Sequence, residues 1–398
     1  MGVKSPYFRK QEAVNIRVGI LTAPDIRWEQ RPEGVLLHDV RIGIGFHWDR
    51  TEDQLFEGTM EIRDNGDGTK TAINTLDVED YLTSVITSEM AATSNIELLK
   101  AHAVISRSWL LRPLKRETAN AEREKNVSLK DKSSSGWQIS ADRRIVWYER
   151  DAHVGFDVCA DDHCQRYEGI TRRDEHPEAA ARVREAVEAT RGVVLVDPMD
   201  GEAICDTRFY KCCGGRTEEF ETAWAPRHYR YLESVECPYC NTKDARVLSQ
   251  VLNNYDRETQ DFYRWTVRYT AEDLAAIIRE KSGVDFGEIE ALRPVKRGPS
   301  GRIYELEIVG GKHKMIVGKE LEIRRMLSTS TLKSSAFTVE AKVAEGGVPA
   351  SFVLHGHGWG HGVGLCQIGA AVMGEQGKTY DEILLYYYRN AEIKKNYE

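Results

Sequence analysis

Residues 76–109 read LDVEDYLTSVITSEMAATSNIELLKAHAVISRSW, and two helical patterns follow one another within them. The first helix is predicted to begin at Val78, because Asp77 is a good N-cap and acidic residues fill the first turn. The second is predicted to begin at the capping box SNIE of residues 94–97 and to continue through Leu111. This helical pair is the α component around which the rest of the chain is arranged.

Short alternating segments on both sides of the helical pair predict strands. They are residues 15–21, 34–40, 60–63, 193–195, 262–269, 303–308 and 314–317, with a strand-like pattern also over 145–171. The turn sequence DNGDGT follows at 64–69, and further helices are predicted over 177–191 and from Thr270. Because helices and strands alternate without a βαβ rhythm, we expect an α+β fold with a mixed, largely antiparallel β body.

Length and composition indicate a globular chain of about two domains. Of its 398 residues, 41% are hydrophobic and 30% are charged, and the net charge is −8. This charge excludes a basic footprint for nucleic acid, and no apolar run reaches transmembrane length. The N-terminal residues lack the apolar region of a signal peptide. We predict a β-rich segment over 1–75, a main body over 76–240 and 293–398, and an inserted α/β segment over 241–292.

Glu89 is the carboxylate of most interest. Val78, Leu82, Val85 and Glu89 share one face of the first predicted helix, so Glu89 is expected on the apolar stripe near the helix C-terminus. Desolvation and the negative end of the helix both favour a protonated carboxyl, which a general acid needs. The alternative is a carboxylate at a frayed helix end that extends to water.

Residues 355–370, HGHGWGHGVGLCQIGA, carry glycine at every second position from Gly356 to Gly364. We call residues 356–364 the glycine run. Such a run packs poorly in a helix or strand, but it lets backbone N–H groups and imidazoles approach a ligand closely. It continues into a helical pattern at Leu365 and Ile368, which predicts a ligand site near a helix N-terminus. The alternative is a glycine-rich turn between two strands.

The eight cysteines fall mainly into two clusters. His153, Cys159, His163 and Cys164 offer two imidazoles and two thiols within twelve residues, which predicts a zinc site with two cysteine and two histidine ligands. A disulfide between Cys159 and Cys164, or free thiols, are the alternatives.

The second cluster leaves more alternatives open. It contains Cys212, Cys213, Cys237 and Cys240, with Cys205 nearby. The CxxC pair at 237–240 is typical of half a zinc knuckle, and a disulfide to Cys212 or Cys213 is an equal alternative. Cys366 is interpreted as a plain helix residue.

Residues 76–109 resemble the opening motif of the stage II sporulation protein D family, peptidoglycan lytic transglycosylases that include the amidase-enhancer proteins. Four later segments resemble the same family in the same order: CQRYEG at 164–169, GGRTE at 214–218, LKSSAF at 332–337, and GHGWGHGVG with Q and GA at 356–370. Together the five segments extend over about three quarters of the chain. Some family members are described as zinc-binding near the first Cys/His cluster, which supports structural zinc.

The resemblance implies that Glu89 is the general acid and base of glycan cleavage. The reaction implied is non-hydrolytic cleavage between N-acetylmuramic acid and N-acetylglucosamine, which leaves 1,6-anhydro ends. One carboxylate is enough, because the substrate's own 6-hydroxyl is the nucleophile. The residues expected to bind the substrate are Lys100, Arg107, Gln165, Tyr167, His357, Trp359, His361 and Gln367.

Two other functions stay open at this stage. A non-catalytic glycan-binding protein that enhances a cell-wall amidase would bind glycan strands without producing anhydro sugars. A zinc enzyme using His355, His357 and His361 is the weaker alternative, because their spacing is not that of helical zinc-binding motifs. Peptidoglycan as a substrate implies the cell envelope, whereas the sequence shows no export signal.

Overall fold

The computed structural model describes residues 14–44, 49–91, 94–120, 136–148, 153, 155–161, 163–171, 177–252, 261–343 and 347–398. The helices in these ranges are α1 (Val78–Glu89), α2 (Ile96–Asn120), α3 (Pro177–Ala189), α4 (Phe220–Ala223), α5 (Ala245–Val251), α6 (Ala271–Ser282), α7 (Glu320–Met326), α8 (Gln367–Glu375) and α9 (Tyr380–Tyr387). Two short 3-10 turns lie at Arg230–Leu232 and Pro238–Cys240.

Strands occur throughout the described residues. Those before residue 200 are β1 (Asn15–Ala23), β2 (Trp28–Arg31), β3 (Gly34–Ile42), β4 (Arg50–Phe56), β5 (Thr59–Asp64), β6 (Lys70–Asp77), β7 (Gln138–Ile139), β8 (Arg143–Ile145), β9 (Val158–Cys159) and β10 (Val193–Asp197). Those after it are β11 (Ala203–Ile204), β12 (Phe209–Tyr210), β13 (Arg264–Thr270), β14 (Ile289–Arg297), β15 (Ile303–Gly310), β16 (Lys314–Gly318), β17 (Phe337–Val343), β18 (Pro349–His357), β19 (Leu365–Cys366) and β20 (Glu392–Lys395).

These strands form several small sheets rather than one continuous sheet. The orders are β5-β6-β1-β9, β2-β3-β4, β11-β10-β20, β12-β19, β13-β18-β17 and β14-β15-β16-β8-β7. Neighbouring strands are antiparallel except in the short pairs β1–β9, β12–β19 and β16–β8. The predicted α+β fold with a largely antiparallel β body is therefore confirmed.

The start of α1 follows the prediction, whereas the start of α2 does not. The Asp77 carboxylate accepts a hydrogen bond from the Glu79 N–H at 2.8 Å and caps α1. At α2 the cap is Asn95, whose side-chain oxygen accepts from the Glu97 N–H at 2.9 Å. The predicted capping box at Ser94 is wrong, because the Ser94 hydroxyl donates instead to the carbonyls of Ala91 and Gln250.

Most predicted strands occur within one or two residues of their expected bounds, and the turn at 64–69 joins β5 to β6 as an antiparallel hairpin. The strand-like pattern over 145–171 is the exception. Among the described residues there, the strand conformation is limited to the end of β8 and to β9. In the Cys/His cluster of this segment, Cys159 ends β9 and the other three residues lie outside the strands.

Two hydrophobic cores lie in the described residues. The larger one packs α1, α2, α3, α8 and α9 against the N-terminal sheet. The smaller one is built by residues between Trp265 and Leu354, from β13 to β18 with α6 and α7. It draws on residues both inside and after the predicted insertion, whose boundaries stay a prediction. None of the described helices is long and apolar enough to cross a membrane.

Candidate functional site

Glu89 lies where sequence periodicity predicts it, on the buried face of α1 and as the last residue of that helix. Its backbone carbonyl accepts a hydrogen bond from the Lys211 ammonium at 3.5 Å, and the same ammonium donates to the Val251 carbonyl at 2.8 Å. Lys211 therefore joins the C-terminal ends of α1 and α5, where helix carbonyls favour a cation. This lysine was not predicted from the sequence, because no periodic pattern marks it ahead of the cysteine pair.

Near Lys211 lies a buried polar group of His102, Ser106 and Gln367. The Gln367 amide donates to His102 Nε2 at 3.2 Å, so that the neutral ring donates from Nδ1 to the Ser106 hydroxyl, also at 3.2 Å. Burial, with the nearby Lys211, lowers the pKa of His102 to about 3. His102 is thus a neutral member of this group at every physiological pH.

Residues 211–214 lead from Glu89 to an open groove. The Lys211 carbonyl accepts from the Ile368 N–H at 3.1 Å, and Cys212 and Trp359 exchange two backbone hydrogen bonds of 3.1 and 2.8 Å. At the far end, the Gly214 carbonyl accepts from the Arg264 guanidinium at 2.9 Å. The Cα atoms of 211 and 214 are at most about 11 Å apart, since successive Cα atoms lie ~3.8 Å apart. Glu89 and the groove therefore flank one short segment.

The groove has a volume of about 540 Å³. It is lined by Asp261, Arg264, Trp265, Thr266, His355, Gly356 and His357. His355 is exposed, and its ring contacts Glu340 at 3.2 Å and Thr266 at 3.4 Å. His357 is half-buried and donates from Nε2 to the Ser300 carbonyl at 3.1 Å, while burial lowers its pKa. The wall of the groove thus offers one exposed and one neutral imidazole beside an arginine.

Gly356 of the glycine run lines the groove, and the run also packs closely against other parts of the protein. Gly358, Gly360, Gly362 and Gly364 all have positive φ, between 75° and 95°. A Cβ on Gly356 would meet the Trp265 ring at 2.1 Å, and one on Gly362 would meet the Arg302 guanidinium at 2.5 Å. The prediction that these glycines admit a ligand is therefore revised: what they admit at these positions is side chains and backbone of the same chain.

Arg302 and Glu218 form hydrogen bonds with backbone carbonyls of the glycine run. Neither role was predicted from the sequence. Arg302 is fully buried and donates to the carbonyl of Gly360 at 3.1 Å and to the hydroxyl of Ser300 at 2.9 Å. Glu218 accepts from the same hydroxyl at 2.6 Å, and its backbone N–H donates to the Gly362 carbonyl at 2.6 Å. Burial raises the pKa of Glu218. Glu218 belongs to the family-like GGRTE segment, which was the available signal.

His361 lies apart from the groove, against a small cavity of about 70 Å³ that Trp224, Glu320 and Arg324 help to line. Its Nδ1 accepts from the Val363 N–H at 3.0 Å, and burial with the nearby arginines holds its pKa well below the usual value. The possible metal-ligand groups among the described residues do not combine His355, His357 and His361. The structure does not bring the three histidines together, and it gives the three-histidine zinc enzyme no site.

Arg107 and Tyr167 are enclosed rather than open to a ligand. Arg107 is fully buried and forms a bidentate ion pair with Glu79, with N···O distances of 3.0 and 2.5 Å. The Tyr167 hydroxyl donates to Asn74 at 2.5 Å, and its ring stacks on Tyr81 with centroids 5.1 Å apart. In this structure both side chains fix the frame of α1 and α2, and neither presents a surface to a glycan.

The other predicted binding residues differ in accessibility. Gln165 is buried, accepting from the Tyr81 hydroxyl at 3.3 Å and donating to the Ser106 carbonyl at 3.4 Å. Lys100 is half-buried on α2 and pairs with Glu97 at 2.7 Å. Trp359 is half-buried, with its ring 6.1 Å from that of Phe262. Of the predicted binding residues, only His357 lines the groove itself.

The first Cys/His cluster converges as expected for one metal ion. The ligand atoms of His153, Cys159, His163 and Cys164 all lie within 4.8 Å of one another. His153 Nε2 is 3.1 Å from the Cys164 sulfur, and His163 Nδ1 is 3.5 Å from the same sulfur. Two thiolates and two imidazoles at these separations fit tetrahedral zinc.

Two regions of the chain match known protein families. Residues 66–196 match the family described as Stage II sporulation protein, and residues 218–364 match a family described as a domain of unknown function, DUF8618. The first of these matching regions contains α1 and Glu89, and the second contains the glycine run.

Individual proteins from two of the organisms compared are similar to this chain. The chain is 22% identical over 327 residues to Stage II sporulation protein D of Bacillus subtilis, covering 81% of this chain and 76% of that protein. It is 27% identical over 325 residues to an uncharacterized protein of Brachyspira hyodysenteriae, covering 82% and 68%. A shorter match, 34% over 67 residues, is to the amidase enhancer of Bacillus subtilis and covers 9% of that protein. The predicted resemblance to the stage II sporulation protein D family is confirmed.

Proposed function

We propose that this protein is a peptidoglycan lytic transglycosylase that acts in the cell envelope, with Glu89 as both general acid and general base. The observation that carries the proposal is the position of Glu89, a buried carboxylate at the end of α1, one short segment away from an open polar groove. The similarity to a sporulation protein and to an amidase enhancer supports a role at the cell wall.

The proposed reaction uses one carboxyl group twice. Glu89 donates its proton to the oxygen that links N-acetylmuramic acid to N-acetylglucosamine, and the bond from the muramic C1 to that oxygen breaks. The muramic 6-hydroxyl then attacks C1 and returns its proton to Glu89, which closes the 1,6-anhydro ring. No water is consumed, so a second carboxylate to activate water is not required.

The surrounding residues divide into two roles in this proposal. His355, His357 and Arg264 on the groove wall contact the glycan strand, because they are among the polar groups that the groove presents. Arg107, Gln165 and Tyr167 act as positioning residues through buried contacts with the helical pair and the neighbouring sheet. These contacts hold α1 and α2 together, so that the Glu89 end of α1 has one orientation.

The structural zinc predicted at His153, Cys159, His163 and Cys164 forms part of the proposal. β9, which carries Cys159, pairs with β1 at the edge of the N-terminal sheet. Zinc bound there would fix a loop segment to that sheet and would take no part in the reaction. We expect a chelator to lower the midpoint of thermal unfolding without changing the sugars released below that midpoint.

The experiment is product analysis by mass spectrometry on the purified chain with denuded and intact glycan strands. The expected products carry 1,6-anhydro-N-acetylmuramic acid, and Glu89→Gln is expected to abolish them while strands still bind. Glu185→Gln, an exposed carboxylate on α3, is the matched control and should cleave at the wild-type rate. Cleavage by Glu89→Gln at that same rate would contradict the assignment.

The short match to an amidase enhancer favours one second candidate, a non-catalytic protein that binds glycan and stimulates a cell-wall amidase. This candidate predicts glycan binding without anhydro products in the wild type. It also predicts amidase stimulation that survives Glu89→Gln. The same set of variants therefore separates the two functions.

A further inference from the structure

Four buried cysteines from three separate parts of the chain converge on one point. They are Cys213 after β12, Cys237 and Cys240 around a 3-10 turn, and Cys366 in β19. Their four sulfur atoms all lie within 4.8 Å of one another, and each residue is at most 1% exposed. We propose that these cysteines bind a single zinc ion as a structural four-cysteine site, separate from the Cys/His cluster at 153–164.

The spacing of the sulfur atoms fits one tetrahedral ion. Four thiolates at ~2.3 Å from a tetrahedral zinc ion lie about 3.8 Å from one another. The four sulfur atoms here, all within 4.8 Å of one another, match that separation. An iron–sulfur cluster places several iron atoms between its cysteines and needs them farther apart. The Cys213 and Cys240 sulfurs are 3.2 Å apart, well beyond the ~2.05 Å of a disulfide bond.

The groups around the cysteines are arranged as hydrogen-bond donors to sulfur. The Cys213 N–H donates to the Cys366 sulfur at 3.3 Å, and the Gly215 N–H donates to the Cys213 sulfur at 3.4 Å. The Tyr387 hydroxyl lies 3.3 Å from the Cys237 sulfur. Such outer donors stabilise metal-bound thiolates and orient them. Residues 214 and 215 have φ of 80° and 123°, a backbone turn that brings the second of these N–H groups back to sulfur.

The neighbouring Cys212 is outside the proposed ligand set. Its backbone is paired with Trp359 on the glycine run. Its thiol interacts with Cys240 and Cys366, but it is not part of the set whose four sulfur atoms all lie within 4.8 Å of one another. Cys205 is also outside the set, and its N–H donates to the Leu195 carbonyl at 2.9 Å. The interpretation of Cys366 as a plain helix residue is corrected, because it precedes α8 and its sulfur lies in the cluster.

A metal at this point ties together the parts of the molecule that flank the candidate active site. Cys213 lies in the segment 211–214 that joins Glu89 to the groove, and Cys366 lies directly before Gln367 at the start of α8. The CxxC turn supplies the other two ligands. Zinc there would cross-link a part of the chain with little regular structure, which is what structural zinc does in other proteins.

The test is zinc and iron content per chain, measured by plasma mass spectrometry on the purified, dialysed full-length protein. Cys237→Ser/Cys240→Ser is expected to contain one zinc less than the wild type. Cys205→Ser, the matched control, is expected to contain as much as the wild type. Cys159→Ser/Cys164→Ser is expected to keep the zinc that Cys237→Ser/Cys240→Ser loses. Unchanged zinc in the Cys237→Ser/Cys240→Ser protein, or iron in place of zinc, would overturn the proposal.

A second measurement covers the case in which removing two buried cysteines prevents folding. X-ray absorption at the zinc edge on the Cys159→Ser/Cys164→Ser protein should show four sulfur ligands at ~2.3 Å. Nitrogen or oxygen ligands there, or a disulfide between two of the four cysteines found by peptide mapping without reduction, would refute the site. Neither measurement depends on glycan cleavage, so the four-cysteine site and the proposed function can fail independently.

Discussion

Arg107 shows how a residue in a family-like motif can act at a distance from a ligand. Its guanidinium is fully buried, and the Glu79 carboxylate that it pairs with also accepts from the Tyr397 hydroxyl at 2.5 Å. This group joins α2 to the start of α1 and to the C-terminal residues of the chain. A charged pair of this kind stabilises one arrangement strongly once it is formed, because removing either partner leaves the other charge buried.

We therefore predict that Arg107→Ala lowers the free energy of unfolding by about 3–5 kcal/mol. Arg246→Ala removes a guanidinium from an exposed pair with Asp244, and we expect it to leave the stability nearly unchanged, because solvent screens such a pair. Urea titration followed by circular dichroism measures both. Native stability in Arg107→Ala combined with lost glycan binding would instead favour the substrate-binding role.

His102 gives a pH dependence with a definite sign. Its pKa is about 3 in the folded protein and about 6.5 when exposed, so the unfolded state binds the proton first as the pH falls. Its contribution to stability is therefore complete above about pH 6.5 and is lost as the pH falls toward 3. We predict a shallower loss of stability across this window for His102→Gln than for the wild type, from thermal unfolding at a series of pH values. Identical slopes would contradict it.

At the level of single residues, sequence periodicity was enough to place Glu89 but not its surroundings. Val78, Leu82 and Val85 all lie on one face of a single helix, so their spacing alone predicts which face of α1 is buried. Lys211 and Arg302 lie far from Glu89 and the glycine run along the chain and reach them only through tertiary folding. No local pattern marks such residues.

At the level of elements, the glycine run is the feature whose meaning changed most. Its alternating glycines were expected to admit a ligand, whereas the structure uses five of them to pack against Trp265, Arg302, Tyr210 and the backbones of Cys213 and Arg208. Sequence alone shows that these positions lack a Cβ. It does not show which atoms occupy the space that a Cβ would take. The helix starts illustrate the same limit, since both residues 94 and 95 are good caps and only their tertiary partners decide between them.

Gly362→Ala tests this packing role against a matched control. Gly362 has a φ of 86°, and a Cβ there meets Arg302 at 2.5 Å. Gly377 has a φ of 82° and no atom within 4 Å of an added Cβ. Alanine at either position carries about 1–2 kcal/mol of backbone strain, and we expect Gly362→Ala to lose about 1–3 kcal/mol more than Gly377→Ala through overpacking. Equal losses in chemical denaturation would show that Arg302 does not press on the run.

At the scale of the whole molecule, the glycine run contacts both hydrophobic cores. Gly356 packs against Trp265 of the smaller core, and Val363 belongs to the larger one. The fold class followed from the mixture of patterns, since no βαβ rhythm is present. The division of the strands among the sheets could not be predicted from the sequence. Most of the sheets contain only two or three strands, and several of them pair strands that lie far apart in the chain. Both groups of converging ligand residues lie in segments with little regular secondary structure, where a bound metal would hold the segments together.

In the proposed function, Glu89 at the end of α1 cleaves glycan strands without water. The most direct test is mass spectrometry of the products from purified strands treated with the wild type, Glu89→Gln and Glu185→Gln. We expect 1,6-anhydro-N-acetylmuramic acid ends from the wild type and Glu185→Gln, and none from Glu89→Gln. Reducing ends from the wild type, or anhydro ends from Glu89→Gln at the wild-type rate, would contradict it.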